Sequence, residues 1–129
     1  MKVRVLLVDD DELYLEAASA ILAQDERLDI VASALDGREA VAAAITSQPD
    51  VVLTDLLMPV MDGVEATRQI LRYLPAARVV VVTSSGSPDD RRRACEAGAY
   101  AFLPKTLTSE VLVETALAAA LAVAPEAVG

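Results

Sequence analysis

Five short apolar runs recur along the chain, and each is followed by a stretch with the capping signals or spacing of a helix. The runs begin near residues 3, 28, 51, 79 and 100. Strands that alternate with helices form parallel sheets through right-handed crossovers, and the helices cover both faces of the sheet. We therefore predict an α/β fold of the (βα)5 type with a doubly wound parallel sheet.

Capping residues predict where the helices begin. Asp36 and Asp62 each stand three residues before a glutamate, which is the spacing of a capping box, and Ser87 precedes a proline suited to the first helical position. The predicted strands are 3–8, 28–32, 51–53, 79–82 and 100–103. The helices that follow them are expected to end near residues 21, 48, 74, 97 and 121.

The length and composition favour one domain with an aliphatic core. Of the 129 residues, 54% are hydrophobic but only 3% are aromatic, so valine, leucine, isoleucine and alanine must fill the interior. We expect the domain to occupy residues 1–122 and residues 123–129 to begin a linker.

The charge of −9 argues against direct nucleic-acid binding by these residues. No apolar run approaches the roughly 18 residues of a membrane span, and Cys95 has no partner for a disulfide. We expect a cytoplasmic protein without membrane contact, and we expect Cys95 to be buried.

Functional side chains follow four of the five runs. Asp9 and Asp10 follow the first, Asp55 the third, Thr83 with Ser84 the fourth, and Lys105 the fifth. Each has an ordinary structural explanation when taken alone, such as a helix cap or a solvated lysine. Because parallel strands end at the same edge of a sheet, and ligands of open α/β sheets bind there, we expect these groups to form one site.

Three carboxylates at one edge require a cation. Two like charges about 5 Å apart repel by on the order of 3 kcal/mol at an effective dielectric of ~20. Oxygen ligands favour Mg²⁺, or alternatively Mn²⁺, and Mg²⁺ often shares its site with phosphate oxygens. Lys105 and the Thr83 hydroxyl could then bind a phosphoryl group, and Asp55 could act as the nucleophile that accepts it.

These residues resemble the receiver domain of two-component response regulators over about residues 3 to 122. The pair Asp9-Asp10, the stretch TDLLMP…MDG around Asp55, Thr83 and Lys105 occur in the order and rough spacing of that family. The resemblance implies a flavodoxin-like fold with strand order 2-1-3-4-5. It also implies a signalling domain that catalyses only its own phosphorylation and hydrolysis.

The resemblance assigns a role to each acid. Asp55 would accept a phosphoryl group from the phosphohistidine of a sensor histidine kinase. Asp10, Asp55 and the main-chain carbonyl of Leu57 would bind the metal, and Asp9 would contribute through water.

A second group of residues would respond to the phosphoryl group. Thr83, Ser84 and Lys105 would bind it, and Phe102 would turn inward together with Thr83. Ordinary core packing is an alternative for Phe102. Thr106 departs from the family, in which a proline is common after the lysine, so a cis peptide bond there is less assured.

The resemblance also implies partners that the residues alone do not identify. Phosphorylation would change a surface used for homodimerisation or for contact with a covalently attached output domain, which this chain lacks and which would be a helix-turn-helix regulator of transcription. Two alternatives remain: an aspartate-nucleophile phosphatase, although Leu57 stands where its second acid would be, and an unphosphorylated receiver that acts only as a binding module.

Overall fold

The strands form one parallel sheet in the order β2-β1-β3-β4-β5, which confirms the predicted fold. The computed structural model describes residues 2–106 and 108–122, so the predicted linker at 123–129 lies outside the described residues. The strands are β1 (Val3–Val8), β2 (Leu28–Ala34), β3 (Val51–Thr54), β4 (Arg78–Thr83) and β5 (Ala101–Pro104). The helices are α1 (Glu12–Ala23), α2 (Gly37–Ser47), α3 (Gly63–Tyr73), α4 (Pro88–Glu96) and α5 (Ser109–Leu121).

The sheet divides the core into two layers. Alternate residues of a strand point to opposite faces, so Val5 and Leu7 pack with α1 and α5, whereas Leu6 and Val8 pack with α2, α3 and α4. All four residues of β3 are buried because helices cover this central strand on both sides. This arrangement exposes only the ends of the inner strands to ligands.

Side-chain caps hold the helix starts close to the predicted positions. Asp36 accepts a hydrogen bond from the backbone N–H of Glu39 at 2.8 Å, and Asp62 accepts one from Glu65 at 2.9 Å. Asp11, Ser87 and Thr108 cap α1, α4 and α5 in the same way. The capping residues therefore fix where each loop at the carboxyl edge ends.

The prediction that Cys95 is buried is wrong, because its side chain is exposed. Helix α4 is short and turns only Ala94 fully toward the core. Cys95 is the next residue and lies about 100° further round the helix.

No helix in the described ranges combines the length and the apolar character needed to cross a membrane. The longest of these, α5, has 13 residues, whereas a spanning helix needs about 20.

Candidate functional site

The carboxyl edge of the sheet brings Asp9, Asp10 and Asp55 together. One carboxylate oxygen of each lies within 4.8 Å of the others. Asp9 and Asp55 are buried, at 1% and 7% exposure, whereas Asp10 is exposed. Parallel pairing of β1 with β3 produces this proximity, because Val8 stands beside Thr54 and the acids follow directly. The sequence-based expectation that these acids converge is confirmed.

Backbone amides orient two of the acids. The N–H of Leu56 donates to Asp55 Oδ1 at 2.7 Å, and the N–H of Asp11 donates to Asp9 Oδ1 at 2.9 Å. Each carboxylate therefore has one oxygen engaged with its own loop and a second oxygen, Oδ2, available to the site.

Lys105 reaches both free oxygens from the end of β5. Its Nζ lies 2.8 Å from Asp9 Oδ2 and 3.1 Å from Asp55 Oδ2. The contact with Asp9 is an ion pair outside hydrogen-bond alignment, so Asp9 Oδ2 is buried without an aligned donor in the part of the chain described. One ammonium beside three carboxylates leaves the site with excess negative charge.

Burial and charge shift the titration of this pair. Desolvation raises the pKa of Asp9 although Lys105 and the Asp11 amide oppose it, and the Asp55 charge adds to the rise. Desolvation lowers the pKa of Lys105, but its contacts with Asp9 and Asp55 outweigh this and leave a net rise. Lys105 is therefore held firmly in its charged form.

The fourth strand places a buried hydroxyl at the same edge. Thr83 is 1% exposed, and its Oγ1 accepts a hydrogen bond from the backbone N–H of Ser85 at 3.2 Å. Ser85 Oγ in turn lies 2.5 Å from Asp90 Oδ2, which links this loop to α4. Ser84, between Thr83 and Ser85 in the chain, is exposed. Both residues predicted at the end of this strand therefore lie at the carboxyl edge.

Phe102 lies on β5, three residues before Lys105, and is only partly buried. It packs against the core layer of α2, α3 and α4, and the Arg91 guanidinium lies 5.2 Å from its ring centroid. The ring therefore has both a core contact and a contact with an exposed helix.

Two residues of the loops at the carboxyl edge have clear positions. Asp11 caps α1 by accepting hydrogen bonds from the backbone N–H groups of Leu13 and Tyr14. The Leu57 side chain is 61% exposed. No peptide bond is cis among the described residues, which include the Lys105–Thr106 pair.

Sequence reasoning missed two features of the site. The Tyr14 ring lies against Lys105, with 4.5 Å between Nζ and the ring centroid. A Cβ on Gly63 would overlap the Asp55 carbonyl oxygen, so α3 can begin at that point only with glycine. The signal for Tyr14 was its place one turn after the acidic loop, where a helix-borne side chain can reach back to the strand ends.

Comparison with known proteins decides the family. The sequence model of the response regulator receiver domain matches residues 5–117. The chain belongs to the receiver domain family of two-component response regulators. This confirms the resemblance, and the site described above is the acidic pocket that fits the phosphoacceptor site of such domains.

Individual relatives agree with this assignment. The chain is 38% identical over 117 residues to the transcriptional regulatory protein LiaR of Bacillus subtilis, covering 91% of this chain and 56% of LiaR. It is 37% identical over 114 residues to the response regulator VraR of Staphylococcus aureus, covering 88% and 54%. The chain thus spans about half the length of the curated relatives it matches.

A solved structure supports the fold assignment. The signal receiver domain of NarL from Mycobacterium tuberculosis superposes with a TM-score of 0.89 at 32% identity, covering 92% of this chain and 96% of that one. This receiver domain is therefore matched over nearly its whole length by a solved receiver domain.

Proposed function

We propose that Asp55 is the phosphoacceptor of this receiver domain. The observation that carries the proposal is the pairing of a buried carboxylate with an ammonium, since Asp55 Oδ2 lies 3.1 Å from Lys105 Nζ. An oxygen of Asp55 attacks phosphorus, the P–N bond of a kinase phosphohistidine breaks, and its electron pair leaves on the imidazole nitrogen. The product is an acyl phosphate on Asp55.

The donor set fits a divalent cation. Three carboxylates converge, and the buried Asp9 Oδ2 has no aligned donor among the described residues. Asp10, Asp55 and the Leu57 carbonyl would hold Mg²⁺ or Mn²⁺, with Asp9 acting through water. Such an ion, when bound, offsets negative charge on a transferring phosphoryl group.

Lys105 and Thr83 stabilise the phosphoryl group once it is on Asp55. The ammonium pairs with one phosphoryl oxygen. The Thr83 hydroxyl, which accepts from the Ser85 N–H in this structure, turns away from it and donates to a second phosphoryl oxygen. Ser84 helps to bind the phosphoryl group at the same edge. Phe102 turns inward, toward the core, as Thr83 moves. Loss of the hydrogen bond between Thr83 and Ser85 loosens the loop that Ser85 ties to α4 through Asp90.

The partners follow from the same proposal. A cytoplasmic sensor histidine kinase donates the phosphoryl group, and an attached helix-turn-helix output domain regulates transcription. The regulation of transcription is in line with the relative LiaR, which is a transcriptional regulatory protein. The receiver occupies residues 1–122, ahead of a linker, and does not itself bind DNA.

The exposed apolar side chains of Val111 and Leu121 on α5 support a homodimer. Sedimentation that gives the same mass with and without a phosphoryl mimic would rule out dimerisation in response to phosphorylation.

Intact-mass spectrometry after incubation with acetyl phosphate tests the phosphoacceptor. We expect one phosphoryl adduct in Mg²⁺, none in EDTA, and none in Asp55→Ala. Asp29→Ala is the matched control, because Asp29 is an exposed acid on β2 outside the site. An adduct that persists in Asp55→Ala would assign another acceptor, and no adduct under any condition would favour the binding-module alternative. Steady turnover of a phosphomonoester would favour the phosphatase alternative.

A further inference from the structure

We propose that Tyr14 is a positioning residue that holds the Lys105 ammonium over its ring face, ready for the phosphoryl group on Asp55. The proposal rests on the phosphoacceptor function proposed above. It starts from the 4.5 Å separation between Lys105 Nζ and the Tyr14 ring centroid, which is within the range of a cation–π contact.

Lysine needs such a contact because its side chain is long and flexible. Four rotatable bonds separate the Lys105 backbone from its charge, and a free lysine side chain populates many rotamers. Among residues 2–106 and 108–122, three groups contact the ammonium: Asp9 at 2.8 Å, Asp55 at 3.1 Å and the Tyr14 ring. Together they leave the Lys105 side chain only 21% exposed.

Two of these three contacts do not persist through the reaction. Asp9 and Asp55 belong to the donor set that fits the divalent cation, so the cation competes with Lys105 for them. Asp55 also loses a free oxygen when it forms the acyl phosphate. The Tyr14 ring is neutral and takes no part in either change. It is therefore the one of the three contacts that can keep the ammonium at the site throughout.

The backbone fixes Tyr14 independently of Lys105. The Tyr14 N–H donates to the Asp11 cap at 3.3 Å, which places the residue in the first turn of α1. Its ring is partly buried against the core layer of α1 and α5. A ring held by its own helix and by the core can orient a flexible side chain that approaches from β5.

Two substitutions separate the ring face from apolar bulk. Tyr14→Phe keeps an aromatic face, whereas Tyr14→Leu keeps an apolar side chain without one. With acetyl phosphate and saturating Mg²⁺, we expect Tyr14→Leu to slow phosphorylation of Asp55 by about fivefold to tenfold, the rate equivalent of one partly desolvated cation–π contact. Tyr14→Phe should retain nearly the full rate. Tyr73→Leu is the matched control, because Tyr73 is 59% exposed at the far end of α3.

A double-mutant cycle distinguishes positioning from packing. In a Lys105→Met background, Tyr14→Leu should cause no further loss of rate. An equal loss in both backgrounds would show that Tyr14 acts only through packing, and would overturn the proposal. Additivity is the signature of independent sites, whereas positioning requires coupling between the two residues.

Proton NMR tests the contact without phosphorylation. Protons above an aromatic face shift upfield, so the Lys105 Cε methylene should be upfield in the wild type and in Tyr14→Phe, and normal in Tyr14→Leu. A normal position in the wild type would overturn the proposal even if Tyr14→Leu failed to fold. Absence of any adduct in the wild type would overturn the proposed function and this inference together. A normal wild-type adduct with an unchanged Tyr14→Leu rate would overturn this inference alone.

Discussion

The Nζ atom of Lys105 lies 3.1 Å from Oδ2 of Asp55, although fifty residues separate the two in the chain. The contact follows from sheet order, because β4 lies between β3 and β5 and all three strands end at one edge. Lys105 is further fixed by its backbone N–H, which donates to the Thr83 carbonyl at 3.0 Å. The ammonium therefore lies as a counterion between two acids of the site, where the proposed function would have it bind an incoming phosphoryl group.

Replacing Lys105 should change metal binding and phosphorylation in opposite directions. In Lys105→Met the acids lose a competing cation, so we expect Mg²⁺ to bind about tenfold more tightly, as the removal of a like charge a few ångströms away allows. Phosphorylation of Asp55 by acetyl phosphate should fall by about 10²-fold, because a group that stabilises the transferring phosphoryl is lost. Calorimetric Mg²⁺ titration and intact-mass kinetics measure the two effects.

Lys2→Met is the matched control for that experiment. Lys2 is exposed and is the only other lysine in the chain, so its removal changes the net charge equally. It should alter neither quantity by more than about twofold, because exposed charges far from the site are screened. Weaker Mg²⁺ binding in Lys105→Met would contradict the counterion role.

Gly63 should tolerate no side chain. A Cβ there would overlap the Asp55 carbonyl oxygen and approach the Leu56 Cα to 2.9 Å, both of which are backbone atoms. We expect Gly63→Ala to lower the free energy of unfolding by about 1–3 kcal/mol, as overpacking does, and to slow phosphorylation by displacing Asp55. Urea denaturation measures the first effect. Gly86→Ala should leave stability within about 0.5 kcal/mol, since a Cβ there meets nothing within 4 Å.

The strands and helix starts were predictable because each depends on local signals. Runs of valine and leucine predicted the strands. The capping-box spacing of Asp36 and Asp62 predicted two helix starts, and the proline after Ser87 predicted a third. Convergence of the acids was predictable as well, since parallel strands share an edge. The sequence therefore predicted the fold and most of the residues that meet at the site.

Features that depend on exact three-dimensional placement were not predictable. The place of Tyr14 one turn after the acidic loop indicates that its side chain can reach the strand ends. Its contact with Lys105 depends in addition on the relative rotation of α1 and the end of β5, which that spacing does not encode. Burial of Cys95 was wrongly predicted from its residue type, whereas its exposure depends on how a short helix turns Ala94 inward. Composition gives the average burial of a residue type but not the orientation of one helix.

The carboxylate of Asp25 should titrate unusually low. The Arg27 side chain donates to it at 2.9 and 2.7 Å, and the Arg27 N–H donates at 2.9 Å, which lowers the pKa of Asp25 from 3.8 to about 2. Because the pKa of Asp25 is lower in the folded protein than in the unfolded chain, its pairing with Arg27 stabilises the fold. This stabilisation is fully present above about pH 4 and is lost as the pH falls through about 2. A ¹³C NMR titration of the Asp25 carboxyl carbon measures its pKa.

Arg27→Gln should move the pKa of Asp25 back toward 3.8 while leaving it somewhat lowered, since the backbone N–H remains a donor. Arg92→Gln is the matched control, because Arg92 pairs with Asp89 on α4 and does not contact Asp25. An unchanged Asp25 titration in Arg27→Gln would show that the side chain is not the cause.

Val60 holds a strained backbone conformation in the loop that leads from β3 to α3. Its φ is 69°, in the left-handed region that β-branched residues rarely adopt, and its side chain is 75% exposed. Little burial offsets this strain, so we expect Val60→Gly to raise the free energy of unfolding by about 1 kcal/mol, the strain relieved less the added freedom of glycine when unfolded. Urea denaturation should show a higher midpoint with an unchanged slope. Ala76 is an exposed turn residue outside the left-handed region. Ala76→Gly should instead lower the free energy of unfolding by up to about 1 kcal/mol. A loss of stability in Val60→Gly as large as that in Ala76→Gly would show that the loop carries no strain at Val60.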